Sequence, residues 1–159
     1  MKLALAVREL HRAEKSLARD LRKTADRHQA EHEVHYVARD LAEWSADHVR
    51  ELARHGRDYG LHLDEDVPGS GPLAPLRSAL AELGAGRPEP GLILLADLRR
   101  LHRKAAGVSL DWELLAQGAQ AAKNQELLEL ASRCHPRTLR QMKWTNAMLK
   151  IMSPQILTS

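Results

Sequence analysis

A chain of 159 residues that is 43% hydrophobic and 28% charged has the profile of one soluble globular domain, long enough to bury a core and too apolar to stay disordered. Its net charge of +3 is spread among interspersed acids, which argues against a nucleic-acid-binding stripe. With no Phe, two Tyr and three Trp, a core of Leu, Ala and Val suits packed helices better than a sheet, and the single cysteine excludes a disulfide framework and a four-cysteine zinc site.

Residues 3–56 hold no proline and no glycine before Gly56. Leu3, Val7, Leu10, Leu17 and Leu21, then Val34, Val37, Leu41, Trp44, His48 and Leu52, recur at the spacing of one buried helical face. One continuous helix would be about 80 Å long, too long for a compact domain of this size. The stretch therefore predicts two antiparallel helices, at about 2–26 and 29–56, turning near Thr24–Gln29 with Asp26 capping the second. Because that turn lacks Gly and Pro, extension into a partner's fold as a swapped dimer is the alternative.

Residues 57–90 predict a crossover. RDYGLHLDEDVPGSGP is loop chemistry; Leu73, Leu76, Leu80 and Leu83 mark a short helix at about 73–84; GRPEPG is a second break. A connection of this length suits a run along a bundle rather than a turn between neighbours. Leu94, Leu98, Leu101, Ala105, Val108, Trp112, Leu115, Ala119 and Ala122 then predict a helix at about 91–122, followed by a turn at Lys123–Asn124. The last helix, about 125–152, turns Leu127, Leu128, Ala131, Thr138, Met142, Thr145, Leu149 and Met152 inward, with a kink at Pro136 and a tail from Ser153–Pro154 onward. No run reaches the ~18 apolar residues of a membrane span and none reads as a signal peptide, so a cytoplasmic protein is expected.

Within the first hairpin, ELHRAEKSL (9–17) and HVREL (48–52) supply Glu9, Leu10, Ala13, Glu14 and Leu17, then His48, Val49 and Leu52. This pattern resembles the N-terminal hairpin of the YciE/YciF-type bacterial stress proteins. The likeness covers about the first third of the chain; beyond it only the layout is shared, with LLELA (127–131) as an echo. What it implies is an all-α, ferritin-like antiparallel four-helix bundle of two hairpins joined by a long crossover. It also implies a carboxylate and histidine centre for iron, manganese or zinc, and a role in stress response or in metal and oxygen handling. A ferritin-like centre takes a Glu from each of two helices and Glu-x-x-His from each of the others. Here Ser45 stands three residues before His48, Ser132 three before His135, and Glu113 beside Trp112 is turned off the apolar stripe. A reduced or lost centre is the expectation.

Glu14 lies between Leu10 and Leu17 on the face to be buried, where an unpaired carboxylate is costly. A turn centred near residue 28 would set Glu14 level with Glu43 and Glu9 level with His48, making Glu14, Glu43 and His48 the first candidate metal ligands. The structural alternative pairs Glu14 with an arginine such as Arg12 and leaves His48 a core histidine. His28, His32 and His35, with Glu31 and Asp26 nearby, form the second metal candidate, against exposed histidines without a ligand. His135 could satisfy a carbonyl freed by Pro136, and Cys134 reads as a small buried residue. Arg99, Arg100, Arg103 and Lys104, with His102, read as a solvated face. No nucleophile elbow, phosphate loop or dinucleotide fingerprint is present. Two functions remain: a degenerate ferritin-like protein, or a non-catalytic helical module that homodimerises or docks a partner through apolar faces without metal, nucleic acid or membrane.

Overall fold

The computed structural model describes residues 2–68 and 89–159. Every regular element among them is helical: α1 (Lys2–Arg27), α2 (His32–Gly56), a 3₁₀ turn (Arg57–Tyr59), α3 (Pro90–Ala121) and α4 (Gln125–Thr158). None of these helices is long and apolar enough to cross a membrane. The short helix expected at 73–84 lies outside the described residues.

Each long helix buries one seam with a seven-residue repeat. On α1 it is Val7, Leu10, Glu14, Leu17, Leu21 and Thr24; on α2, Val34, Ala38, Leu41, Ser45, His48 and Leu52. On α3 it is Leu94, Leu98, Leu101, Ala105, Val108, Trp112, Leu115 and Ala119, as the periodicity predicts. On α4 it is Leu127, Ala131, Cys134, Thr138, Gln141, Thr145 and Met148. A strict 4-3 alternation keeps a seam facing its neighbours only when helices cross at a shallow angle, and it draws the four seams into a main core, with Val34, Leu94, Leu98 and Met148 packed as a separate cluster.

Helix α1 packs on α2 and α3, and α4 packs on α3 and α2. Contacts give the directions. His28, just past the end of α1, and Glu14 within it meet Asp97 and Trp112 of α3, so these two helices are antiparallel. Gln141 meets Leu41 and Ser45 while Arg137 meets Asp47, so α2 and α4 are antiparallel as well. Helices α2 and α3 consequently run the same way, and the chain must travel the length of the fold between them. Residues 61–68 begin that journey along α1: the Asp64 carbonyl accepts from His11 Nε2 at 2.7 Å, and the Val67 carbonyl from Arg22 at 3.0 Å. Val67 closes over Ala18, Ala46 and Val49.

Three element ends differ from expectation. The first turn falls at residues 28–31, because His35 Nδ1 donates to the Ala25 carbonyl at 2.7 Å and satisfies an end group that would otherwise fray α1. Glu31, not Asp26, precedes α2, and its side chain makes no cap. Helix α4 continues through Pro154 to Thr158, where Ile156 packs so closely on the start of α3 that a Cβ at Gly91 would lie 2.9 Å from it.

The α3–α4 connection carries no glycine, yet it has a glycine-type stop. Asn124 N–H donates to the Ala119 carbonyl (2.8 Å) and Lys123 N–H to that of Gln120 (3.1 Å), with Lys123 left-handed at φ 56. Asn124 also caps α4, its side chain accepting from Leu127 N–H at 3.2 Å. Two opposite effects are expected in urea melts: Lys123→Gly raises stability by up to ~1 kcal/mol by relieving the left-handed strain, and Asn124→Ala lowers it by about 1 kcal/mol.

Candidate functional site

The polar centre of the fold is assembled from one residue on each long helix: Glu14 on α1, His48 on α2, Trp112 on α3 and Cys134 on α4. Each occupies a seam position, so each is forced inward by the same repeat that buries its leucine neighbours. Glu14 is 0% exposed, His48 1%, Trp112 0% and Cys134 5%. His48 Nδ1–H donates to Glu14 Oε2. The indole N–H of Trp112 donates to the same oxygen at 3.1 Å, and its ring stands edge-on to the imidazole at 5.7 Å. A carboxylate at zero exposure survives because two donors converge on it, one of them the His48 imidazole as its ion-pair partner.

Burial by itself would push the His48 imidazole toward neutrality. The Glu14 carboxylate and the Cys134 thiol outweigh it and hold His48 up to about 10. Glu14 Oε1 remains without a hydrogen bond among the described residues. One and two turns along α4, Thr138 Oγ1 and Gln141 Oε1 are also unsatisfied, although Gln141 Nε2 reaches the Leu41 carbonyl and Ser45 Oγ, each at 2.9 Å. Asp111, on the turn of α3 beside this centre, has its carboxyl raised by partial burial and by the charges of Glu9 and Glu14.

The other sequence candidates do not join this group. Glu43 is exposed and pairs with Arg22 at 3.3 Å. The pairing of Glu14 with Glu43 and of Glu9 with His48 therefore does not form; Glu14 meets His48, five residues further along α2, because the turn is later than expected and the inward seam runs through Ser45 and His48. Of the three clustered histidines, His28 donates to Asp97 Oδ2 at 2.8 Å, His35 serves the Ala25 carbonyl, and His32 opens α2 at the surface. They diverge because the chain turns between the first and the second. Asp97, 3% exposed, gathers His28, Arg27 at 3.2 Å and Arg100 at 3.1 Å. Burial would raise its carboxyl, but His28 and the arginines keep it below its ordinary value.

On the outer face of α3 and α4, His135 Nε2 bonds Ser109 Oγ at 2.8 Å rather than a carbonyl freed by Pro136. Arg99, Arg100, Arg103 and Lys104 line an open groove of about 390 Å³, with Arg100 committed to Asp97 and Lys104 to Asp20 at 2.5 Å.

A di-metal centre of the kind the resemblance implies fits these residues poorly. The inward positions that would supply ligands hold Glu14, then Ser45 and His48, then Trp112, then Ala131 and Cys134, all buried. Glu14 Oε2 is taken by two hydrogen bonds, and among the described residues no three His, Cys, Asp or Glu side chains are arranged to hold a metal ion. Cys134 is the small buried residue that the sequence predicts, but its place at the level of Glu14 and His48 is not part of that reading. The signal was present: Cys134 is three residues from Ala131 and four from Thr138, both on the stripe already drawn.

Comparison with protein-family models, with curated proteins and with solved structures finds no match to this chain.

Two measurements probe the centre. With its folded-state value raised far above the ~6.5 of an unfolded histidine, His48 binds a proton in the folded chain that the unfolded chain has lost. Its contribution is complete below about pH 6.5 and declines as pH rises toward about 10, so the melting temperature falls across that window, and less steeply in His48→Gln. In chemical unfolding, Glu14→Gln costs about 3 kcal/mol by stranding a buried charge, while a double Glu14→Leu, His48→Leu substitution costs much less.

Proposed function

We propose that the chain is a ferritin-like four-helix bundle of the YciE/YciF type in which a metal centre has given way to a hydrogen-bonded Glu14–His48–Trp112 core. The observation that carries this reading is the set of inward positions. One level draws a single residue from each helix, at the positions where a ferritin-like centre sets its carboxylates and histidines, and the α3 member is an indole that donates to the carboxylate a metal would need. The antiparallel neighbours, the parallel run of α2 and α3, and the long crossover support the same architecture.

On this reading the protein acts through contacts rather than turnover. It is a helical module of the stress-response kind whose outward apolar residues, such as Leu110 at 66% and Leu114 at 68% exposure on α3, face a partner. The interior then serves to hold the helices in register.

Elemental analysis of untagged protein tests it. Wild type should carry iron, manganese and zinc at well below one equivalent, with no difference in a Glu14→Ala, His48→Ala variant. Stoichiometric metal in wild type that disappears in the variant would overturn the reading. The ferritin-like register has its own test. A chain carrying Ser45→Glu, Trp112→Glu, Ala131→Glu and Cys134→His regains the full ligand pattern, and Co²⁺ should give it visible ligand-field absorption that wild type lacks. A folded quadruple variant indifferent to Co²⁺ would show that these positions do not converge as a metal centre requires.

A further inference from the structure

The polar centre and the apolar seams leave the cations of α3 unexplained. Arg99, Arg100, Arg103 and Lys104 fall within two turns of one helix. Arg99 with Arg103, and Arg100 with Lys104, are like charges four residues apart, a spacing at which they repel along a helix. A solvated face relieves such repulsion by mixing its signs. This face does not. Apart from one another, the neighbours of Arg99 and Arg103 three and four residues away are Leu95, Ala96, Arg100, His102, Ala106 and Gly107, with no acid among them.

The fold supplies acids to the inner two cations. Arg100 Nη1 donates to Asp97 Oδ1 at 3.1 Å, while Lys104 Nζ reaches across to α1, to Asp20 at 2.5 Å and Ser16 Oγ at 2.7 Å. These contacts hold the two side chains in place without exhausting them. A guanidinium has five N–H donors, and that of Arg100 remains half exposed. Arg99 and Arg103 are exposed, and neither has a hydrogen bond or ion pair among the described residues. All four cations line the same open groove of about 390 Å³, joined there by Ala96 and, among the described residues, by no acid. Guanidinium groups offer paired donors in a plane, which match the oxygens of a phosphate. Several cations along one concave surface concentrate anions there. With no aromatic ring and no large apolar side chain among those lining residues, the groove gives a nucleobase or an acyl chain nothing to pack against.

We propose that this groove is a binding site for a small phosphate-dense anion of the di- or triphosphate class. Arg99 and Arg103 bind it, and Arg100 and Lys104 are the fixed charges beside them. The anion supplies the negative charge that the sequence of α3 withholds from its own outer face. The site is separate from Glu14 and His48 and does not depend on the function proposed above.

Calorimetric titration with inorganic tripolyphosphate, at fixed ionic strength in metal-free buffer, tests it. Wild type should bind saturably at one equivalent. An Arg99→Gln, Arg103→Gln chain should bind at least ~10-fold more weakly, with unchanged helicity because neither side chain has a structural partner. Arg133→Gln with Arg140→Gln removes two exposed charges from α4 instead and should leave the affinity nearly unchanged. A nucleoside triphosphate should bind no more tightly than tripolyphosphate. Wild type alone gives a second reading: in amide NMR spectra, the signals of residues 96–104 should shift most on adding tripolyphosphate. The proposal would be overturned by an absence of saturable binding, by equal losses in the two double variants, or by a folded Arg99→Gln, Arg103→Gln chain that binds like wild type. Shifts centred elsewhere, or a nucleoside triphosphate at least ~10-fold tighter than tripolyphosphate, would overturn it as well.

Discussion

The ion pair between Glu14 and His48 sets terms that the surrounding helices have to meet. Both groups lie in the dry interior, and neither charge is tolerable there without the other. Sliding α1 along α2 by one heptad would set Glu14 against Leu41 and strand the carboxylate, so the pair selects one register among several that the Leu and Ala seams would accept. Trp112 extends the selection to α3 through its hydrogen bond to the same oxygen. A buried ion pair is a poor source of net stability compared with apolar packing, and its use here is better understood as choosing one arrangement.

A second polar contact does the same work toward the opposite end of α1. Asp97 on α3 receives His28, Arg27 and Arg100, tying the end of α1 and the turn after it to α3. Between these two contacts the seams of α1 and α3 are apolar but for Thr24, while α4 is not: Cys134, Thr138, Gln141 and Thr145 succeed one another at inward positions. Gln141 spends its amide on the backbone and Ser45 of α2, and Thr145 accepts from His102 Nδ1 at 2.8 Å. The middle of α4 is thus seated in part by hydrogen bonds, where the other helices are seated by leucine.

That difference explains what the sequence disclosed and what it withheld. The α3 seam was legible from Leu94 to Ala119 because it is written in Leu, Ala, Val and Trp; only Ala122, expected to close it, falls past the helix end and is exposed. The α4 seam was legible only in part. Met142 and Leu149 looked like core beside Gln141 and Met148, and an inward glutamine is not something hydropathy can announce. On α2 the same competition set Trp44 ahead of Ser45. Glu14 and His48 were recognisable as inward residues one at a time, but their meeting depends on where the chain turns, and a turn fixed by His35 on the Ala25 carbonyl leaves no Gly or Pro to mark it. The connection at Lys123 was visible only as a weak break for the same reason, since a lysine occupies the left-handed position that glycine usually signals.

The account turns on whether the centre is a closed hydrogen-bonded unit or an open set of ligands, and nitrogen NMR of the imidazole of His48, with ¹⁵N-labelled histidine, observes that unit directly. The account predicts that His48 stays doubly protonated at pH 8, with a far-downfield Nδ1 proton, and that neither this signal nor the Trp112 indole proton moves when Fe²⁺, Mn²⁺ or Zn²⁺ is added. A His48 that is neutral at pH 8, or whose Nε2 resonance shifts or broadens at one equivalent of metal while the histidines outside the centre are unaffected, would contradict it.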